Sequence, residues 1–248
     1  LPGGTHGLDY RRDWNLGKKP PVGKKVVVVG GGNTAMDASR TALRLGAEDV
    51  SILYRRREVD MPADQREVME AKEEGIKFIT MAAPEEFVGD GKVEKIVCSK
   101  MALGERDAKG RRGTVKLEGE TFEVEADTVI VAVSQYSDFP FIGKDEVEMT
   151  EWGKLIVNDD MMTTLPGVFA GGDVARGSAT AIQAIADGKH AAEKIAAYLG
   201  LTTSINQGAE IEMPPRSEKK TKYKSAGKMR NLPAKERIHS EDEVALGI

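Results

Sequence analysis

The amino-acid sequence predicts an α/β protein in which helices flank a parallel sheet. Residues 26–29 are four consecutive valines, a run typical of a strand buried on both faces. Three glycines and a helical segment follow directly, and the strand–helix pattern then repeats. Because parallel strands need crossover connections, this alternation favours an α/β architecture.

The first half of the chain is predicted to carry three strands joined by two helices. Residues 1–23 are rich in glycine and proline and are interpreted as a connector, too short and broken for a βαβ unit. Strands are expected at residues 26–29, 49–54 and 76–79. Helices are expected at residues 34–45, ended by Gly46, and from Pro62 through Glu74, ended by Gly75.

The middle of the chain is predicted to add an antiparallel meander. Residues 87–98 indicate one hairpin around a Gly-Asp-Gly turn, and residues 115–124 indicate a second hairpin that turns at Gly119. Residues 127–133 are predicted to form a further buried strand of the parallel sheet.

The last part of the chain indicates a second unit and a tail. Strands are expected at residues 155–157 and 168–170, followed by a glycine turn and a helix over about 180–199. The polar segment from residue 201 to 248 is interpreted as an extended tail that wraps on another surface or is disordered.

Composition and charge exclude several function classes. The formal net charge is −4 with mixed signs, so no basic field for nucleic acid or an anionic membrane is evident. No apolar run is long enough for a transmembrane helix. A single cysteine, Cys98, excludes an internal disulfide and a cysteine-ligated iron–sulfur cluster, and the three histidines are too dispersed for a metal site. A cytoplasmic location is therefore expected.

The strongest local signal is the glycine loop after the valine run. Gly30, Gly32 and Ala35 occupy the defining positions of G-x-G-x-x-A, between a buried strand and a helix. Gly30 permits the tight turn, Gly32 lets a pyrophosphate approach the backbone, and Ala35 keeps the helix close to the strand. The predicted cofactor contacts are Gly30, Gly31, Gly32, Asn33, Thr34 and Ala35. An ordinary βα turn is the alternative.

The end of the second strand indicates NADP rather than NAD. An NAD site needs a carboxylate here, but Arg55 and Arg56 follow Tyr54. Guanidinium groups can bind the additional phosphate of NADP in a bidentate manner. Two alternatives remain: the arginines belong to a solvated loop, or Glu58 or Asp60 serves as the acid.

A second glycine turn ends in an acid. Gly172 and Asp173 follow the predicted strand at 168–170, and the helix start at Ala179, Thr180 and Ala181 comes shortly afterwards. The carboxylate can accept hydrogen bonds from sugar-alcohol hydroxyls, and a helix N-terminus stabilises negative charge on a bound ring. A Gly-Asp turn is common, so the residues alone only suggest a site.

Residues 24–200 resemble the pyridine nucleotide–disulfide oxidoreductase superfamily, most closely the group of the small (beta) subunit of NADPH-dependent glutamate synthase. The shared motifs include glycine loops and their flanking residues. They are Gly-Gly-Gly-Asn-Thr-Ala-Met-Asp at 30–37, Tyr-Arg-Arg at 54–56, Met-Pro at 61–62, Arg-Glu-Val at 66–68, Glu-Glu-Gly at 73–75, Ala-Gly-Gly-Asp-Val at 170–174 and Ala-Asp-Gly-Lys at 186–189.

The resemblance implies a Rossmann-like, three-layer FAD/NAD(P)-binding fold. It assigns an NADP(H)-binding domain to residues 24–134 and the C-terminal part of an FAD-binding domain to 135–200. It implies that Arg55 and Arg56 hold the 2′-phosphate, that Asp173 binds the ribityl chain of FAD, and that residues 179–181 lie near the flavin.

Two departures from that pattern predict a fragment. The chain has no N-terminal FAD fingerprint and no cysteine clusters, and it begins with Leu1, so both ends are expected to be trimmed. We expect the chain alone to be colourless and inactive, with an apolar face near residues 155–200 that favours self-association.

The predicted function is transfer of hydride from NADPH to FAD in a parent enzyme, and of electrons onward to an iron–sulfur domain or partner subunit. Hydride transfer needs positioning rather than an acid or base, so no catalytic residue is assigned. A nucleotide-binding scaffold or regulatory module is the alternative. A direct alcohol dehydrogenase lacks support because no Tyr-x-x-x-Lys pair occurs. The final electron acceptor stays undetermined.

Overall fold

The computed structural model describes residues 2–106, 112–133, 137, 139–143, 146–202, 230–240 and 244. The chain divides into two units. The first comprises residues 1–133 with 224–248, and the second comprises residues 134–223.

A five-stranded parallel sheet forms the centre of the first unit. Its strands are β1 (Gly4–His6), β2 (Lys25–Val29), β3 (Asp49–Tyr54), β4 (Lys77–Thr80) and β8 (Thr128–Val131), in the order β1-β8-β2-β3-β4. The four valines of β2 are buried because neighbours lie on both edges and layers cover both faces. The predicted central strands are thereby confirmed.

The helices α1 (Gly7–Asn15), α2 (Asn33–Arg44) and α3 (Gln65–Glu73) lie in the N-terminal part of the first unit. α2 packs closely on the sheet through the small residues Ala35, Ala38 and Ala42, which are fully buried. The predicted start of α3 at Pro62 is wrong. The helix begins after Asp64, whose carboxylate accepts a 2.8 Å hydrogen bond from the amide of Arg66 and so provides the N-cap.

Residues 4–15 are not the connector that the sequence predicts. β1 pairs in parallel with β8, with Gly4 opposite Val129, and α1 packs against α2. Tyr10 is buried in the core of the unit, and burial raises the pKa of its hydroxyl to about 12. β1 has only three residues, which is too few for a recognisable periodic pattern in the sequence. The strand forms because it pairs with the edge of β8.

An antiparallel meander covers the other face of the parallel sheet. Its strands are β5 (Ala82–Val88), β6 (Lys95–Arg106) and β7 (Arg112–Glu125). Ile96 and Cys98 of β6 pack with valines of β2 and β8 in a second core, which gives the three predicted layers. Burial raises the pKa of the Cys98 thiol to about 11, as expected for a core residue.

The second predicted hairpin is wrong. Gly119 lies inside the continuous strand β7, where its φ of +77° accompanies a register shift. Ser99 pairs with Thr121, but Met101 pairs with Lys116. The residues between these two pairs therefore bulge from β7, and the glycine allows the bulge rather than a turn.

The second unit contains α4 (Asp173–Arg176) and α5 (Ala181–Tyr198). Residues 155–157 and 168–170 form only isolated antiparallel bridges, at Leu155, Val157 and Phe169, instead of the predicted strands. A small core around Val147, Leu155 and Ala170 holds the unit together. The predicted helix over 180–199 agrees with α5.

Part of the predicted tail is folded. α6 (Ala234–Arg237) belongs to the first unit, and residues 203–229 lie outside the described residues. Arg237 is buried, donates to the Leu232 carbonyl at 2.7 Å and pairs with Glu73 at 2.5 Å. An extended tail is thus the wrong description of residues 234–237.

A buried carboxylate joins this segment to the helices of the first unit. The side chain of Glu74 is fully buried and accepts hydrogen bonds from Arg40 at 2.7 Å and Arg44 at 3.2 Å, and Arg237 lies 3.6 Å away. Burial alone would raise the pKa of Glu74, but the hydrogen bond and charge of Arg40, with the charge of Arg44, keep it below its usual value. The cluster ties the end of α3 to α2 and α6.

Within the described parts of the chain, the longest and most apolar helices fall short of what a membrane crossing requires.

Candidate functional site

The glycine loop lies at the carboxyl end of β2, where the chain turns into α2. Gly30 has a φ of +146°, and a Cβ there would overlap the carbonyl oxygen of Ala132. Its amide donates to the Leu53 carbonyl at 3.0 Å, which fixes the loop to the adjacent strand β3. Gly30 is therefore required both by its backbone conformation and by close packing.

The other two glycines have different surroundings. A Cβ on Gly31 would lie 2.5 Å from the ring of Tyr54, so the ring of the strand-β3 residue packs directly on the loop. A Cβ on Gly32 would meet only Pro62 Cγ, at 4.0 Å. The space over Gly32 is open, as an approaching pyrophosphate requires.

The N-terminus of α2 is available to an anion. Gly32 is the N-cap and supplies no side-chain oxygen, and the first turn contains no acid. The helix start can therefore offer backbone amides and its positive dipole end to a phosphate. Ala35 is fully buried, as predicted for close packing of the helix.

Asn33 and Thr34 make contacts within the protein. Asn33 Oδ1 accepts a 2.9 Å hydrogen bond from the amide of Asp64, which ties the loop before α3 to the glycine loop. The methyl group of Thr34 lies near Gly7 of α1. Both side chains thus help to position the loop, and their backbone remains at the helix N-terminus.

The arginine segment comes from the neighbouring strand at the same edge of the sheet. β2 and β3 are parallel with Val29 opposite Leu53, so Arg55 and Arg56 leave the sheet beside the glycine loop. Arg55 is exposed, and Arg56 is half-buried with a buried Nε that lacks a hydrogen-bond partner. The structure thus brings together the two predicted groups of the first unit.

Both acids of this segment are paired with cations. Glu58 accepts a 2.6 Å hydrogen bond from Lys72, and Asp60 accepts two from Arg57. The hydrogen bond from Arg57 holds the pKa of Asp60 below its usual value, although partial desolvation opposes this. If Glu58 or Asp60 served as the acid of an NAD site, it would first have to give up a cation that it already binds.

The predicted residues of the second unit surround a tight turn. Gly172 has a φ of +67° and caps α4, whose first residue is Asp173. Asp173 is exposed, and its Oδ1 accepts a 3.2 Å hydrogen bond from the amide of Ala179. Thr180 caps α5 through a reciprocal pair of bonds with Gln183, and Ala181 is the exposed first residue of that helix.

Asp187 supports this turn and had no role in the sequence-based prediction. It is 6% exposed and accepts a 2.9 Å hydrogen bond from the Gly172 amide. Arg176 donates to both of its carboxylate oxygens. The hydrogen bond from Arg176 is the main reason that the pKa of Asp187 is lowered, and the hydrogen bond from Gly172 lowers it further. The Ala-Asp-Gly-Lys motif at 186–189 contains Asp187 and could have drawn attention to it. The motif alone does not show that this carboxylate binds the Gly172 amide.

The predicted groups lie in different units, with the glycine loop and arginines in the first and the Gly-Asp turn in the second. Within the described ranges no group of three or more His, Cys, Asp or Glu side chains is placed to hold a metal ion. The arrangement offers an anion site at a helix N-terminus with two neighbouring arginines.

The chain is similar to a family of known proteins and to several curated relatives. The family described as pyridine nucleotide-disulphide oxidoreductase matches residues 2–188. The glutamate synthase [NADPH] small chain of Azospirillum brasilense is 48% identical over 180 residues, which are 71% of this chain and 37% of that protein. The NADP(+)-dependent formate dehydrogenase subunit beta of Moorella thermoacetica is 40% identical, over 78% of this chain and 28% of that protein.

Solved structures share the fold. Thioredoxin reductase of T. acidophilum superposes with a TM-score of 0.54 at 27% identity, over 80% of this chain and 57% of that chain. FprA of Mycobacterium tuberculosis in complex with NADPH gives a TM-score of 0.65 at 19% identity, over 81% of this chain and 59% of that chain, which shows the fold alone. The chain spans less than half the length of the glutamate synthase small chain and of the formate dehydrogenase subunit beta named above.

Proposed function

We propose that the first unit of this chain binds NADPH. The chain belongs to the pyridine nucleotide-disulphide oxidoreductase family, whose match covers residues 2–188. The chain is the NADPH-binding part of an FAD-dependent oxidoreductase similar to the small chain of glutamate synthase, which passes electrons to an iron–sulfur or partner-subunit acceptor.

The observation that carries the proposal is the open space over Gly32 beside two arginines. A Cβ at Gly32 has no neighbour closer than 4.0 Å, although Gly30 and Gly31 are tightly packed. The helix N-terminus behind it has no competing acid in its first turn. A pyrophosphate there would lie next to Arg55 and Arg56, which are the residues suited to a 2′-phosphate.

The Gly-Asp turn of the second unit supports flavin as the second cofactor. Asp173 is exposed at the end of the turn, and the N-terminus of α5 follows within a few residues. The carboxylate suits the hydroxyls of a sugar-alcohol chain. The helix N-terminus suits negative charge on a bound ring. Asp187 and Arg176 would act as positioning residues, since they hold the turn through Gly172.

The protein's part in this chemistry is binding and orientation. When bound, the nicotinamide supplies hydride and the flavin accepts it. The glycine loop would hold the pyrophosphate, and Arg55 and Arg56 would hold the 2′-phosphate of the adenosine end. No acid or base among these residues is needed, so we assign none a catalytic role.

Partner subunits are part of the proposal. The relatives carry names such as NADPH-Fe(3+) oxidoreductase subunit beta of Geobacter sulfurreducens, of which the chain covers 32%. We propose that this chain works within such an assembly and that, by itself, it binds NADP(H) but holds no stoichiometric flavin. An absorbance spectrum of the purified chain tests this, since a full flavin spectrum would contradict it.

Binding of adenosine fragments tests the phosphate site directly. We expect 2′,5′-ADP to bind more tightly than 5′-ADP, and replacement of both Arg55 and Arg56 by alanine to remove the difference. Two charge-assisted contacts of about 1.5–3 kcal/mol each correspond to at least about a hundredfold in affinity.

The matched control removes two cations elsewhere. Arg12 and Lys18 are 63% and 62% exposed and lie in or after α1. Their replacement by alanine changes net charge equally and should leave the discrimination intact. Equal affinity of the wild-type chain for the two ligands would contradict the NADP assignment and favour a nucleotide-binding module of another kind.

A further inference from the structure

We infer that Arg57 determines cofactor specificity by neutralising Asp60, rather than by binding phosphate itself. The inference rests on the proposed function, because it concerns how the same site prefers NADPH. It assigns different roles to three consecutive arginines: Arg55 and Arg56 face the ligand, and Arg57 masks an acid of its own loop.

The contact between the two side chains is bidentate. Arg57 Nε donates to Asp60 Oδ2 at 2.8 Å, and Nη2 donates to Oδ1 at 3.0 Å. The backbone closes the same turn, since the Asp60 amide donates to the Arg57 carbonyl at 3.0 Å. Both carboxylate oxygens are thus occupied, and two of the three guanidinium nitrogens of Arg57 are committed to them.

Asp60 is also fixed to the glycine loop. The hydroxyl of Tyr54 donates to the Asp60 carbonyl at 2.9 Å, and the Tyr54 ring packs on Gly31. These contacts hold the backbone of Asp60 beside the glycine loop. Asp60 lies in the segment that follows β3, as Arg55 and Arg56 do.

These contacts decide what loss of Arg57 would do. A carboxylate freed at this edge repels a 2′-phosphate, and it can accept hydrogen bonds from ribose hydroxyls as the acid of an NAD site does. With Arg57 in place, the charge of Asp60 is offset by the guanidinium and each carboxylate oxygen already accepts one hydrogen bond. Removal of Arg57 would therefore weaken NADPH binding and strengthen NADH binding at the same time.

The experiment is a double-mutant cycle with four proteins: wild type, Arg57→Ala, Asp60→Asn and Arg57→Ala/Asp60→Asn. Dissociation constants for NADPH, NADH and 2′,5′-ADP are measured by titration. We expect Arg57→Ala to lower the NADPH-to-NADH preference by on the order of tenfold or more. In the Asp60→Asn background the same change should alter the preference less than about twofold.

The controls separate this role from structural damage. Arg57→Lys keeps the charge and should retain most of the preference. Lys77→Ala breaks a 2.7 Å pair with Asp49 at the opposite end of the sheet and should not alter it. Thermal unfolding of each variant shows whether the fold persists.

Two results would overturn the inference. If Arg57→Ala reduces NADPH affinity equally in the Asp60→Asn background, Arg57 contacts the phosphate itself. If Arg57→Ala leaves the preference unchanged, Asp60 does not face the ligand. Absence of any NADPH preference in the wild-type chain would instead refute the proposed function, so the two failures are distinguishable.

Discussion

Replacement of Gly32 by valine should abolish nucleotide binding and leave the first unit folded. The backbone at Gly32 has φ −93° and ψ 178°, a conformation that valine adopts readily. The nearest atom to a new Cβ is Pro62 Cγ at 4.0 Å, so the side chain has room in the free protein. It would occupy the space that the pyrophosphate needs.

The magnitude follows from the contacts that would be lost. A pyrophosphate held by two backbone amides at the start of α2 gains about 1.5–3 kcal/mol from each charge-assisted hydrogen bond. Displacement from both costs about 3–6 kcal/mol, which corresponds to at least about a hundredfold in affinity. The cost to folding should be about 1 kcal/mol, because valine is a poorer N-cap than glycine but meets no packed neighbour.

The assay pairs nucleotide titration with denaturant unfolding. Gly31→Val is the matched control, because its Cβ would lie 2.5 Å from the Tyr54 ring and must disturb packing. We expect Gly31→Val to lower stability much more than Gly32→Val, which loses only a favourable N-cap. A folded Gly32→Val protein with wild-type NADPH affinity would refute the assignment of the loop.

Further predictions concern buried charged residues within each of the two units. Glu74→Ala should lower the free energy of unfolding of the first unit by about 3 kcal/mol, as urea unfolding can measure, because it leaves Arg40, Arg44 and Arg237 facing one another. Since the folded pKa of Glu74 lies below its ordinary value of 4.5, the stability it adds is present above pH 4.5 and is lost as pH falls through the folded pKa. Acid unfolding of Glu74→Gln should lack this component, and an unchanged acid transition would contradict it. Asp187→Asn should loosen the Gly-Asp turn, which amide exchange at Gly172 would report, and retained protection there would show that Asp187 is dispensable.

Local patterns allowed prediction of the elements that carry the nucleotide site. The strand at residues 49–54 was predicted with the bounds that β3 has, because a buried parallel strand is recognisable from its apolar run. The glycine loop was predicted because Gly30 and Gly32 each have a local reason, the tight turn and the approach of a pyrophosphate. The Tyr54 ring explains Gly31, which the motif leaves unspecified, and that contact depends on strand pairing.

The features that sequence reasoning missed depend on contacts between distant residues. β1 is a strand only because β8 pairs with it, and Gly4 carries no signal of that pairing. Arg237 docks a polar segment through buried charges, whereas the prediction of an extended tail relied on low hydrophobicity. The sequence left Asp60 open as a ribose ligand, because the pairing of its carboxylate with Arg57 depends on the folded loop.

We propose that the first unit binds NADPH through the glycine loop and the two arginines. The most direct measurement is a calorimetric titration of the wild-type chain with NADPH and with NADH under the same salt conditions. We expect tighter binding of NADPH by about a hundredfold, since only NADPH offers a 2′-phosphate to Arg55 and Arg56. Equal binding of the two, or tighter binding of NADH, would contradict it.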